Sequence, residues 1–306
     1  MNESLKNRAR GCLLGLAVGD AIGTTVEFQA RGTFVPVANM VGGGVFNLRA
    51  GCWTDDTSMA LCLAVSLIET GWNLDDQISR YVRWAREGYM SSNGRCFDIG
   101  GTVRNALQTY AKTGNALAGS SAPSAAGNGC IMRLAPVPIR YHADSKLAVD
   151  MCGQQSRTTH GAEECIAASR LFGELLVRAL NGASKTEILA APIHTTSLPA
   201  KLRGIANGDY CQKMRDEVKG SGYVVESLEA SLWCFDQTDN FRDAVLLAAN
   251  LGDDADTTAA IVGQIAGAFY GEAGIPAAWL QTLAMGEMIG DFAEGLLRRG
   301  AGQVVI

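Results

Sequence analysis

Thr54-Asp55-Asp56 and Asp254-Ala255-Asp256-Thr257 stand about 200 residues apart and together hold four carboxylates and two hydroxyls. Such oxygen donors suit hard divalent cations of the Mg²⁺ or Mn²⁺ class. Carboxylates crowded together repel one another unless a cation neutralises them. Each cluster precedes an apolar, Ala-rich run that reads as a helix, and a helix N-terminus favours negative charge. The dipole accounts for an isolated acid at each helix start. It does not account for two dense acidic groups in a chain with only 19% charged residues. The residues therefore point to a site for one or two divalent cations. Capping is the competing reading, because Thr54 and Asp254 are both of N-cap type and could simply start two helices.

The elements that must position these residues are mostly helical. Periodicity gives helices over 4–19, 57–70, 74–88, 101–113, 146–156, 161–181, 184–190, 240–250, 257–271 and 276–299. Phe34-Val35-Pro36-Val37 is one short strand-like run, interrupted by its proline. Residues 114–128 are rich in Gly, Ala and Ser, at a length where an irregular loop in a compact domain is usually functional. Gly11, Gly15 and Gly19 recur every fourth residue, as do Gly263, Gly267 and Gly271. Each trio makes a ridge of small residues on one helix face, which lets helix backbones approach closely. Such an approach would bring Asp20 and both acidic clusters toward one centre.

Composition narrows the classes. The 306 residues are 47% hydrophobic, long enough for one large domain or two small ones. The net charge of −5 and the lack of a basic run argue against a nucleic-acid surface. Nine scattered cysteines without a C-x-x-C pair read as free thiols in a reducing compartment. With three histidines, a zinc site is disfavoured. The N-terminal apolar run is broken by glycines and Asp20, so neither a signal peptide nor a spanning helix is expected. These features together predict a cytoplasmic protein, with a monomer as the default.

The segments GCLLGLAVGDAIG (11–23), WTDDTSMAL (53–61), GNGCIMRLAPVP (127–138), TTH (158–160) and NLGDDADTTAAIVGQIAGAFYG (250–271) resemble the ADP-ribosylglycohydrolase family. Within it they resemble the bacterial branch that reactivates dinitrogenase reductase. The likeness runs in order from about residue 8 to residue 280. It implies an all-α, single-domain orthogonal bundle over 1–306, with a binuclear Mg²⁺ or Mn²⁺ centre at the floor of a cleft. The ligands it implies are Thr54, Asp55, Asp56, Asp254, Asp256 and Thr257; Asp253 and Thr258 match no ligand position. Ala255 stands where the family often has Thr, which leaves every ligand in place.

The resemblance also assigns the cleft. Asp98 matches the catalytic-site aspartate and is expected as a general base or as a partner of the scissile guanidinium, with Gly100 beside it at the substrate. Its competing role is to cap the 101–113 helix. Asp55 or Asp56 would orient the attacking water. Glu27 matches a position on a mobile flap over the substrate. Ser124, Gly127, Asn128 and Gly129 resemble a loop that cradles pyrophosphate, where small residues let backbone N–H groups face phosphate oxygens. His160 is implied beside the phosphates or the distal ribose.

The expected reaction is hydrolysis of the bond between the anomeric carbon of ADP-ribose and an arginine side chain. The branch likeness implies dinitrogenase reductase as the target and a PII-type protein as a regulator. A broader bacterial ADP-ribosylarginine hydrolase is the alternative, with serine linkage a weaker one. A non-catalytic ADP-ribose binder is also conceivable, but it should have lost metal ligands, and all six are present. A metal-dependent phosphohydrolase should place Lys or Arg by the metal cluster, and neither acidic segment has one.

Overall fold

The computed structural model describes residues 2–194 and 197–300. Residues 1, 195–196 and 301–306 of the expected 1–306 domain lie outside them. The α-helices are α1 (Glu3–Gly23), α2 (Asp55–Glu69), α3 (Leu74–Glu87), α4 (Gly101–Thr113), α5 (Pro136–Tyr141), α6 (Ser145–Ser156), α7 (Glu163–Leu180), α8 (Lys185–Leu189), α9 (Ala200–Ala206), α10 (Val224–Asp236), α11 (Phe241–Ala249), α12 (Ala255–Tyr270), α13 (Ala277–Thr282) and α14 (Gly286–Gly300). Among the described residues there are isolated β-bridges but no strand. The fold is all-α.

The glycine ridges set its centre. α1 packs most extensively on α12. A Cβ on Gly11 would lie 2.3 Å from the Gly267 carbonyl oxygen, and one on Gly15 would lie 2.2 Å from that of Gly263. One on Gly19 would lie 2.0 Å from the Ala259 oxygen, and one on Gly23 2.4 Å from that of Ala255. The pairs descend along α12 as they climb α1, so the helices are antiparallel and in backbone contact. Any side chain on this face would force them apart. Gly271 continues the contact, its carbonyl carbon 2.5 Å from where a Cβ on Gly11 would lie, and at φ +75° it ends α12 beside the Asn7 side chain.

Antiparallel packing puts the end of α1, with Asp20, beside the start of α12, with Asp254 and Asp256. The start of α2 joins them because its free N–H groups are satisfied by Asp20. Local signals fix other boundaries. Asn73, Asp144 and Asn240 cap α3, α6 and α11 with their side chains. A Ser184–Glu187 capping box opens α8, and left-handed Gly88 and Gly114 close α3 and α4. One apolar cluster links residues from α1 through α14.

Three expectations change. The strand at Phe34–Val37 does not form; the Val37 N–H donates to Asn250 Oδ1 and its carbonyl accepts from Asn250 Nδ2, so a side-chain amide replaces a strand partner. The helix expected over 276–299 is two, α13 and α14. The Ala284 N–H donates to the Gly51 carbonyl, its own carbonyl accepts from Trp53 Nε1, and Met285 is left-handed. α5, α9 and α10 were not anticipated. α5 and α9 are short, and α10 is buried except along Glu226, Glu229 and Asp236, a polar stripe too narrow to stand out.

Candidate active site

Asp20 organises the floor of the cleft. One of its oxygens accepts from Thr54 N and Thr54 Oγ1, at 2.8 and 2.9 Å. The other accepts from Thr57 N and Thr57 Oγ1, at 3.0 and 2.6 Å. A fully buried aspartate on α1 thus caps α2 from outside it. The capping role open to Thr54 and Asp254 is not taken up, since neither side chain makes a capping hydrogen bond. Asp98 does not cap α4 either, whose N-cap is Gly100 without a side-chain bond.

The carboxylates instead face one another. Thr54 Oγ1 lies 3.2 Å from Asp56 Oδ2 and 3.1 Å from Asp256 Oδ2, besides its bond to Asp20. One hydroxyl proton cannot serve three carboxylate oxygens. Among the described residues, buried Asp56 Oδ1 and Glu27 Oε2 accept no hydrogen bond. Ligand atoms of Asp20, Asp56 and Asp256 come within 4.8 Å of one another, and so do those of Glu27, Asp98 and Asp256. Burial first, and neighbouring negative charge second, hold Asp55, Asp56 and Asp256 well above the usual carboxylate range. The same causes push Glu27 up to about 9 and Asp98 up to about 7. Surplus buried anionic oxygen of this kind is what a divalent cation neutralises, so the residues fit a Mg²⁺- or Mn²⁺-class group. Both α2 and α12 direct their N-termini here, which adds favourable dipoles.

Above this floor is a cavity of about 920 Å³, within the range of small-molecule sites. Asp55, Asp254, Asp256 and Thr257 line it, while Thr54 and Asp56 lie buried beneath. Glu27, Asp98, Gly100, Gly127, Asn128, Gly129 and His160 also line it. Asp98 is held out by a left-handed backbone, φ 58°, a conformation that costs energy in a non-glycine residue. Ser124 is not brought in. It sits in a short 3₁₀ turn, exposed to solvent and outside the lining. Glu27 is 3% exposed, with Phe28 N donating to the Asp253 carbonyl and Asp253 N donating to that of Gln29.

The cleft has two unlike ends. At one, Asn128 Nδ2 donates to Asp254 Oδ2 at 2.7 Å and to Ser227 Oγ at 3.1 Å, which joins the glycine loop to the second acidic cluster. His160 packs against Gly127 and Gly129, where a Cβ would approach its ring to 3.3 and 2.7 Å. At the other end, beside Glu27 and Asp98, the rings of Phe28 and Phe46 are 6.5 Å apart and those of Phe46 and Phe97 5.2 Å apart. Sequence reasoning did not identify this aromatic rim, nor Asp20 as the cap of α2. Nothing local marks either: the three phenylalanines lie far apart along the chain, and Asp20 sits 34 residues before Thr54.

Comparison with known proteins bears on the fold and the family. A family model described as ADP-ribosylglycohydrolase matches residues 1–304. ADP-ribosylarginine hydrolase Tri1 of Serratia proteamaculans (strain 568) is 49% identical over 297 residues, 96% of this chain and 80% of that protein. Its namesake in Pseudomonas putida (strain GB-1) is 48% identical, over 97% of this chain and 80% of that protein. The ADP-ribosyl-[dinitrogen reductase] glycohydrolase of Rhodospirillum rubrum is 32% identical, over 92% of each chain. A solved structure titled ADP-ribosylglycohydrolase-related protein complex superposes with a TM-score of 0.88 at 41% identity, over 97% of this chain and 99% of that one.

Proposed function

The chain belongs to the ADP-ribosylglycohydrolase family, and from that membership we propose that it hydrolyses the N-glycosidic bond between ADP-ribose and arginine on a modified protein. The observation that carries this reading is the acidic cleft floor, where buried carboxylates from α2 and α12 converge with Glu27 and Asp98 beneath a cavity of ligand size. The expected target changes. Relatives at 49% and 48% identity carry the name ADP-ribosylarginine hydrolase, and the dinitrogen reductase enzyme stands at 32%. A broader ADP-ribosylarginine hydrolase is therefore the better reading.

Two divalent cations, Mg²⁺ or Mn²⁺, would be held by Thr54, Asp55, Asp56, Asp254, Asp256 and Thr257. When bound they supply charge neutralisation and Lewis-acid polarisation of the ribose hydroxyls. The chain's own residues do the rest. Asp20 fixes the start of α2 and with it the direction of Asp55 and Asp56. The loop at Gly127–Gly129 and His160 receive the pyrophosphate end. Asp98 faces the anomeric carbon and the guanidino group. As the carbon–nitrogen bond breaks, a water oxygen bonds to the anomeric carbon, and the water proton passes by way of Asp98 to the departing guanidino nitrogen. Asp98, at the cavity wall and outside the metal ligand set, stands where it can take the proton from water and return it.

Side-by-side assays on arginine-linked and serine-linked ADP-ribosylated peptides test this. Intact ADP-ribose released from the arginine peptide supports it. Release from the serine peptide alone would move the assignment to another linkage, and release of phosphate would move it to phosphohydrolysis.

A further inference from the structure

Arg133 is fully buried, yet among the described residues it has no carboxylate partner. Its guanidinium is held by neutral oxygens. It donates to the Gly129 carbonyl at 2.9 Å, Gln155 Oε1 at 3.2 Å, Thr158 Oγ1 at 3.3 Å and Thr159 Oγ1 at 2.7 Å. It also lies over the Tyr81 ring, 4.8 Å from its centroid. A buried cation without an acid is costly unless something nearby gains from its field. The nearest main-chain contact is Gly129, in the loop that lines the cleft.

The bond to Thr159 has a directional consequence. A guanidinium only donates, so Thr159 Oγ1 must accept from Arg133. The hydroxyl keeps one proton, and its other neighbour is His160 Nδ1 at 2.8 Å. If Nδ1 carried a proton, that hydroxyl proton would be left without an acceptor in a buried place. The arrangement therefore leaves Nδ1 bare and puts the imidazole proton on Nε2. The backbone around the ring is fixed, with His160 N donating to the Ser156 carbonyl and Ser156 Oγ donating to the His160 carbonyl. Nε2 lies over Gly127 and Gly129 and makes no hydrogen bond among the described residues. Burial first, and the Arg133 charge second, lower the His160 pKa to about 3, so the ring stays neutral at working pH.

We infer that Arg133 and Thr159 are positioning residues that fix the Nε2–H tautomer of His160, making it a neutral donor to a phosphate oxygen of ADP-ribose at the Gly127–Gly129 end of the cleft. The choice of ligand rests on the function proposed above; the tautomer does not. In this arrangement Arg133 acts through Thr159 and through its uncompensated charge behind the loop, without touching the ligand.

The test labels histidine with ¹⁵N in the Mg²⁺-loaded protein, where three histidines keep the spectrum simple and His160→Gln identifies the signal. The wild-type ring is expected to show a bare Nδ1 and a protonated Nε2, a result that needs no variant. Thr159→Val is expected to mix the tautomers and to weaken ADP-ribose binding about tenfold by calorimetry, while adenosine binding stays the same. Thr159→Ser keeps the hydroxyl and is expected to restore both. A protonated Nδ1 in the wild type overturns the inference, as does a Thr159→Val protein that binds ADP-ribose like the wild type. An equal loss for ADP-ribose and adenosine also overturns it, since that marks a general disturbance of the pocket. If the wild type binds ADP-ribose with the expected tautomer but leaves arginine-linked peptides intact, the proposed activity falls and this inference stands.

Discussion

Asp98 stands in a strained backbone, at the cavity wall, within reach of Glu27 and Asp256. Its side chain caps no helix and is left free to face the cavity. Asp98→Asn is expected to lower kcat by roughly 100- to 10,000-fold while metal content by elemental analysis stays the same. Full activity in that variant would remove Asp98 from the reaction. The acidic residues of the two clusters were legible in sequence because their density exceeds what helix capping needs. Asp20 was legible only as a neighbour. Its role as the acceptor for four donors of Thr54 and Thr57 depends on α1 ending where α2 begins, a tertiary fact. Ser124 was misplaced for a related reason: a small-residue run marks a loop, but not which of its residues turn toward the cleft.

Between α1 and α12 the separation is set by glycine, and the site inherits its geometry from that contact. Gly15→Val would drive a side chain into the Gly263 backbone. It is expected to cost about 1–3 kcal/mol or more in denaturant unfolding and to weaken Mn²⁺ binding, because Asp20 and Asp256 would no longer meet. An unchanged unfolding midpoint would mean that the helices can part without cost. The ridge was visible as a four-residue period, as were most of the helices, since a helix with one wet face writes its period into the chain. α10 and the break before α14 were not visible. One keeps only a narrow polar edge, at Glu226, Glu229 and Asp236, and the other is imposed by Gly51 and Trp53 from a distant segment.

The whole molecule carries a burden at its centre that depends on pH. Glu27 and Asp98 ionise at about 9 and about 7 in the folded chain, against ordinary values of 4.5 and 3.8. A carboxyl whose folded pKa is raised favours the folded state while protonated, and that contribution is lost as pH rises through the folded value. Metal-free protein is therefore expected to lose thermal stability between about pH 4 and pH 9. Saturating Mn²⁺ should raise the midpoint most at the alkaline end, where the carboxylates are charged and binding is tightest. A metal-free melting temperature that climbs steadily across that range in calorimetry would contradict the crowded-carboxylate account. The same centre defines the most direct test of the function. An arginine-ADP-ribosylated protein is incubated with chelator-stripped enzyme, with and without added Mn²⁺, and the released product is weighed by mass spectrometry. The account predicts intact ADP-ribose and an unmodified arginine only when metal is returned. Equal release without metal, or none from metal-loaded enzyme, would contradict it.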